Sequence, residues 1–387
     1  MHSIFGQLSI EEFLHEYWQK KPLLVRQALP DYRSPVSKEE LFEMACDESA
    51  EARLILEKGG DYPWEVRIGP FERQDFQGLP ATHWTLLVQE VDRLNQEVGA
   101  LLDHFRFVPD WRIDDVMVSY AADQGSVGAH VDNYDVFLIQ AMGRRRWQIS
   151  SEAVKEERLV PDVDVRLLAD FEADEDWVLE PGDMLYLPPR LAHYGIARGE
   201  CMTFSVGFRA PSDAELITNY LSVLAEDVDP TLRYRDPEQV PATQAPGEID
   251  VRTLEHVRRA IRRAIENEEH IDRWFGRYIT EPQRGFFPPI AEEELTPDDV
   301  RQAIDSGAVI QRHPAVRMAY FRRPHGTTGL FVAGEEYEFD ESLANFAALL
   351  ANRRSFRASE LTGIDDPTVY EVLADLINEG FLRISMD

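Results

Sequence analysis

The period of apolar positions divides this chain into stretches of different character. Up to about residue 110, short helical patterns alternate with turns. Ser9 followed by Glu12 has the spacing of a capping box ahead of Phe13, Tyr17 and Trp18, and Ser37 with Glu40 repeats it ahead of Leu41, Phe42 and Met44. Residues 82–106 place Trp84, Leu87, Val91, Leu94, Val98 and Leu101 near helical period and predict one longer helix. The period then shortens. Trp111–Tyr120, Tyr134–Gln140, Arg145–Ile149, Trp177–Leu179, Met184–Leu187 and Cys201–Phe208 are short runs rich in β-branched and aromatic residues, separated by glycine, proline and acidic turns. No long helices intervene, so the pattern predicts a small β-barrel or sandwich over about 110–210 and not a doubly wound sheet.

Helical spacing returns at Pro211. Ser212 and Glu215 form a capping box before Leu216, Ile217, Tyr220, Leu221 and Leu224. A proline-rich polar crossover, 229–249, leads to a second stripe of Leu254, Val257, Ile261 and Ile265 beside Arg258, Arg259, Arg262 and Arg263. The last hundred residues predict a helix at Thr296–Ser306 and strands at Arg317–Arg322, Gly329–Val332 and Glu336–Phe339. Helices follow at Glu341–Ala351, Ser359–Leu361 and Thr368–Glu379, before a terminal strand Leu382–Ile384. Helix, helix and strand beside a small hairpin have the order of a winged helix, but the stretch around its second helix, SELTGIDDPTVYEVLADLINEG, is acidic where a DNA reader needs basic residues.

Composition sharpens this picture in one respect. The 387 residues carry 40 basic and 71 acidic side chains, a formal net charge of -31. That field opposes naked nucleic acid and anionic membrane and suits a basic protein partner. From Asp162 to Asp183 there are nine acidic residues and Arg166 as the one base, an acidic rim able to steer a basic substrate. No apolar stretch reaches the roughly 20 residues of a membrane span, and the amino-terminal residues are amphipathic where a secretory signal would be continuously apolar. Cys46 and Cys201 are the two cysteines, too few for a disulfide framework, and a reducing cytoplasm is the simplest location.

The candidate chemistry lies in SVGAHVDNYDVFLIQAMGRRRWQI and LEPGDMLYLPPRLAHYGI. His130 and Asp132 are one residue apart, so in an extended strand both side chains share a face. His193, brought beside them by a barrel, would complete two imidazoles and one carboxylate. Such a set leaves open positions on an octahedral iron(II), although zinc also accepts these ligands. Period two places Arg145 on the same inward face as Trp147 and Ile149, and Arg144 and Arg146 on the other. A buried arginine needs an anion, which a bound dicarboxylate would supply through a bidentate contact.

The two stretches together resemble the Jumonji-C group of iron(II)- and 2-oxoglutarate-dependent oxygenases. Gly125–Ile149 and Pro181–Gly195 resemble, more narrowly, its bacterial ribosomal-protein arginyl hydroxylases, the ribosomal oxygenases. The resemblance implies an α+β fold: a double-stranded β-helix (cupin or Jumonji-C barrel) within 1–210, a helical dimerisation segment at 211–278 and a winged-helix domain at 279–387. It implies Fe(II) on His130, Asp132 and His193, and 2-oxoglutarate held at its far carboxylate by Arg145 with help from Ser119. Dioxygen is the second co-substrate. Asp123 maps onto the acidic residue that receives the substrate guanidinium, and Ala121-Ala122 beside it departs from the polar contacts expected there. The implied reaction is hydroxylation of the β-carbon of an arginine in the large-subunit ribosomal protein numbered sixteen in bacteria, with release of succinate and carbon dioxide. Rival readings are an oxygenase acting on a histidine or lysine of another basic protein, a cupin-like binding protein without iron chemistry, and a regulator using the winged helix.

Overall fold

In the computed structural model of the protein, which describes residues 4–57, 64–229, 231–235, 247–282, 288–290, 293–361 and 366–385, the chain divides into two units after Ala210. In the first, β1 (Leu23–Val25), β2 (Ala52–Glu57), β3 (Trp64–Ile68), β4 (Trp84–Val88), β5 (Ile113–Ala121), β6 (Val136–Ala153), β7 (Glu175–Leu179), β8 (Met184–Leu187) and β9 (Leu191–Phe208) join one antiparallel sheet. Its order is β1-β8-β6-β9-β5-β4-β2-β3, with β7 also paired to β6.

The long strands β6 and β9 roll this sheet. Over Val136–Ile139, β6 lies between β8 and β9, whereas over Arg145–Ile149 it lies between β7 and β9. Register shifts between Gln140 and Arg144 mark the change of partner, and the added residues bend the strand. Gly143 makes the bend possible: its φ is +62°, and a Cβ there would sit 2.1 Å from the Glu200 carbonyl oxygen. One strand serving two sets of neighbours is the construction of a double-stranded β-helix.

Both expected capping boxes form, Ser9–Glu12 at α1 (Ile10–Glu16) and Ser37–Glu40 at α2 (Lys38–Met44). The first delivers Phe13 into the core, stacked 4.1 Å from Phe5 and edge-on to Tyr186 at 5.1 Å. The single helix expected over 82–106 does not form. Trp84–Val88 is instead the fully buried strand β4, between β2 and β5, followed by the short helices α3 (Val91–Leu94) and α4 (Gln96–Leu101). A strand covered on both faces is apolar throughout, so WTLLV fits a helical stripe as easily as a buried strand. Glu90, with φ +56°, breaks the run at its end. The barrel sheet therefore extends well before residue 110.

In the second unit, α5 (Asp213–Asp227) starts at the Ser212–Glu215 box and is followed by α6 (Val251–Ile265) and α7 (Glu268–Thr280). Most of the 229–249 crossover falls outside the described residues. The third helix was not foreseen, and it runs through the expected boundary at 278. Gly276 lets it lie against Phe331, where a Cβ would come within 2.4 Å of the ring. Beyond it come α8 (Pro297–Asp305), β10 (Val309–Arg312), the meander β11 (Met318–Arg322), β12 (Thr328–Val332) and β13 (Glu335–Phe339), α9 (Ala344–Asn352), β14 (Ser355–Arg357), α10 (Pro367–Asn378) and β15 (Leu382–Ser385). Strands β14-β10-β15 form one small sheet and β11-β12-β13 another. The short β10 and β14 were missed in the sequence. The terminal strand pairs with β10, which pairs with β14 on its other edge, while Val369, Leu373 and Leu376 of α10 fill the core beneath.

Candidate metal centre

His130 and Asp132 lie in the connection from β5 to β6, His130 in an isolated bridge, and not within a continuous strand. One antiparallel bridge carries His193 to them: the His130 N–H donates to the His193 carbonyl at 3.1 Å, and the His193 N–H donates back at 3.0 Å. The two imidazole rings stand 4.2 Å apart. Asp132 reaches both, with Oδ1 at 3.9 Å from His130 Nε2 and Oδ2 at 3.6 Å from His193 Nε2. Ligand atoms of all three residues fall within 4.8 Å of one another.

Hydrogen bonds behind the rings set their tautomers. His130 Nδ1 lies 3.0 Å from the Gly128 carbonyl oxygen and His193 Nδ1 lies 2.9 Å from that of Leu191. A carbonyl can only accept, so Nδ1 carries the proton in each ring and Nε2 keeps a free lone pair facing Asp132. Burial, then repulsion from His130, pulls the His193 pKa down to about 4, against the attraction of Asp132. Its imidazole is thus neutral at pH 7, the form that binds metal. Two imidazoles and one carboxylate on one side of a site fit a divalent first-row ion such as iron(II), with room for further ligands.

Arg145 is 3% exposed. Its Nη1 donates to Ser119 Oγ at 3.4 Å and its Nη2 to the Gly195 carbonyl at 3.3 Å, both long contacts. Nε has no hydrogen-bond partner, and no carboxylate among the described residues pairs with the guanidinium. Burial holds its pKa below the ordinary arginine value. The guanidinium lies 5.1 Å over the Trp147 ring, and Gly195 makes space for both side chains: a Cβ there would be 2.6 Å from Trp147 and 2.8 Å from Arg145 Nε. Ala121, Ala197 and Cys201 form a small-residue cluster close by. Arg146, on the opposite face, pairs with Asp176.

Ser119 is therefore brought to Arg145, while Asp123 is not gathered with His130, Asp132 and His193. The Asp123 carboxylate accepts from the Gly199 N–H at 2.7 Å, which lowers its pKa. It borders a cavity of about 490 Å³ that also exposes Arg144, Arg146 and Arg198. Within the acidic run, Asp162, Asp164, Asp170 and Glu172 are exposed, but Asp183 is buried and structural, bonded to Arg26 and the Gln27 N–H. Sequence reasoning missed Tyr134, which hydrogen-bonds Asp132 and whose phenol pKa is raised chiefly by that charge. Its place two residues beyond Asp132 was the available signal. The carbonyls of Gly128, Leu191 and Gly195 had none, because every residue has a carbonyl.

Residues 100–216 match the JmjC domain family, and residues 263–383 match the ROXA-like winged helix family. The ribosomal protein uL16 3-hydroxylase of Escherichia coli K12 is 33% identical over 97% of this chain and 97% of its own length. A crystal structure of E. coli ycfD superposes with a TM-score of 0.87 at 33% identity, covering 98% of this chain and 99% of that one. The E. coli ribosomal oxygenase YcfD in complex with cobalt and 2-oxoglutarate gives 0.84 at 32% identity, with the same coverage. By its JmjC and winged-helix domains, and by likeness along nearly the whole of both chains, this chain belongs to the ribosomal oxygenase family of JmjC proteins.

Proposed function

We propose that this chain is an iron(II)- and 2-oxoglutarate-dependent oxygenase that hydroxylates the β-carbon of an arginine in the large-subunit ribosomal protein uL16. The observation that carries the reading is Arg145, a buried cation with unused donor capacity in the same β-roll as a His-Asp-His cluster. A dicarboxylate is the ligand that answers both features: one end chelates a metal, and the other satisfies a guanidinium. Crystallised YcfD with cobalt and 2-oxoglutarate supports that pairing, and the name of the E. coli relative supports uL16 as target.

When bound, iron activates dioxygen, and oxidative decarboxylation of 2-oxoglutarate to succinate and carbon dioxide accompanies insertion of one oxygen atom into the substrate C–H bond. His130, Asp132 and His193 would hold the metal through Nε2 and carboxylate atoms oriented by the Gly128 and Leu191 carbonyls and by Tyr134. Arg145 with Ser119 would orient the co-substrate. No general base is required of the protein, whose work is positioning and exclusion of water. Asp123, held ionised by the Gly199 N–H, is the proposed receptor for the substrate guanidinium. The exposed acids at 162–172 and the overall charge of -31 favour a basic polypeptide arriving in the cytoplasm. A homodimer through 211–278 is supported by the exposed Ile217 and Leu221 of α5 and Val257 and Ile261 of α6.

The test is intact mass and fragmentation of uL16 after incubation with the chain, Fe(II), 2-oxoglutarate and air. A gain of one oxygen on a single arginine is expected. Active succinate formation without that gain would refute uL16 arginine as the target.

A further inference from the structure

Arg190 stands in the turn between β8 and β9 with φ +69°, a left-handed backbone that strains any residue with a Cβ. Glycine would sit there freely, so the arginine side chain must be accounted for. Its backbone N–H donates to the Asp132 carbonyl at 2.7 Å, and its own carbonyl accepts from the Val154 N–H at 2.8 Å. Its guanidinium then repeats both links. Nε and Nη2 donate to the Val154 carbonyl at 3.1 and 2.9 Å, and Nη1 donates to Asn133 Oδ1 at 3.0 Å and pairs with Glu157. Glu157 in turn accepts from Arg166 at 2.7 Å.

These bonds fasten one end of a strap, residues 155–169, to the turn that carries the first two ligands. The strap folds on itself through Val160 N–H to the Leu167 carbonyl at 2.9 Å and Ala169 N–H to the Arg158 carbonyl at 2.7 Å. Its other end reaches the far side of the same turn. The Leu168 N–H donates to the Ala129 carbonyl at 2.9 Å, and Leu167 packs so tightly on Gly128 that a Cβ there would be 2.0 Å from its Cδ2. Gly128 supplies the carbonyl behind His130. The strap therefore grips the His130–Asp132 turn on both sides, and on the Asp132 side Arg190 links it through Val154, Asn133 and Glu157. A planar fork spreads five donors over three nitrogens and so spans three separated acceptors, whereas the donors of lysine all radiate from one nitrogen.

We infer that Arg190 is a positioning residue of the metal centre: its fork locks the 155–169 strap onto the His130–Asp132 turn and so fixes the orientation of the Asp132 carboxylate. The inference rests on the proposed metal site. Its test compares Arg190→Gly, which relieves the backbone strain while removing the fork, with the parent and Arg190→Lys. Cobalt(II) affinity of the full chain is titrated by visible absorption, and amide hydrogen exchange is followed over 155–169. Arg190→Gly should keep the parent's unfolding temperature, weaken cobalt binding by about tenfold or more and speed exchange across the strap, with Arg190→Lys between the two. Cobalt affinity within twofold of the parent, or unchanged exchange, overturns the assignment. Should Arg190→Gly fail to fold, the double variant Asn133→Ala, Glu157→Ala removes two acceptors of the fork and leaves Arg190 in the turn. It should weaken cobalt binding by about threefold or more, and parental affinity would overturn the inference. A parent chain that binds no cobalt would overturn the metal reading and this inference with it, whereas an unaffected Arg190→Gly overturns the inference alone.

Discussion

Replacing Arg145 with methionine should make the co-substrate-free chain more stable and remove most of the stabilisation that 2-oxoglutarate brings. In the structure the guanidinium is 3% exposed, has an unpartnered Nε and makes two neutral contacts at 3.3 and 3.4 Å. Such a charge stays buried at a cost, and an apolar side chain of similar length removes it. Exchanging buried ionic groups for packed apolar ones commonly stabilises by about 1–4 kcal/mol, and with one charge involved a gain of about 1–2 kcal/mol is expected. For a unit of this size that is on the order of 2–4 °C per kcal/mol in the unfolding midpoint.

The co-substrate works in the opposite direction. Two charge-assisted hydrogen bonds at about 1.5 kcal/mol each are lost with the guanidinium, weakening 2-oxoglutarate binding by about 150-fold. At a concentration about 100 times the parent Kd, 2-oxoglutarate stabilises the parent by about 2.7 kcal/mol and the variant by about 0.3 kcal/mol. Thermal unfolding without oxygen, in manganese(II) with and without 2-oxoglutarate, measures both quantities. An equal 2-oxoglutarate shift in parent and variant would refute the role of Arg145. A variant less stable than the parent by more than about 1 kcal/mol without co-substrate would refute the claim of uncompensated burial.

That Arg145 was legible in the sequence follows from local geometry. Trp147 and Ile149 fix which face of the strand is inward, and period two carries the assignment back to residue 145 without knowledge of the fold. The clustering of His130, Asp132 and His193 was legible for a different reason: the donor chemistry of His-x-Asp with a distant histidine is restrictive once such an arginine accompanies it. Elements whose identity depends on remote neighbours were not. WTLLV becomes a strand because β2 and β5 pair with its two edges, and β10 exists because β14 and β15 flank it. Nor were the backbone contributions legible. The carbonyls that set the imidazole tautomers, and the turn that puts Arg190 under Asp132, are products of the fold and leave no mark on residue type. The residues of the cluster could thus be named from the sequence, whereas what aims them could not.

Three further outcomes test the remaining parts. Asp132→Ala leaves two imidazoles without the carboxylate 3.6–3.9 Å away, and calorimetry should find cobalt(II) binding weaker by about 100-fold or more; a loss below tenfold would remove Asp132 from the ligand set. Sedimentation velocity should show the 44.5 kDa chain as a dimer and Val257→Asp, Ile261→Asp as a monomer, since both residues lie exposed on one face of α6; a monomeric parent would refute the dimer. The last concerns pH. His193 has a pKa near 4 in the folded chain against 6.5 when unfolded, because burial disfavours the charged ring. Below pH 6.5 the unfolded chain takes up a proton that the metal-free folded chain refuses, so the stability His193 confers is complete above that pH and drains away as pH falls towards 4. The difference amounts to about 2 kcal/mol by pH 5. Urea unfolding of metal-free parent and His193→Gln between pH 7.5 and 5 isolates it, because the carboxylates titrate in both. The parent should lose stability more steeply by about that amount, and parallel profiles would mean that the ring is protonated, and therefore solvated, in the folded chain.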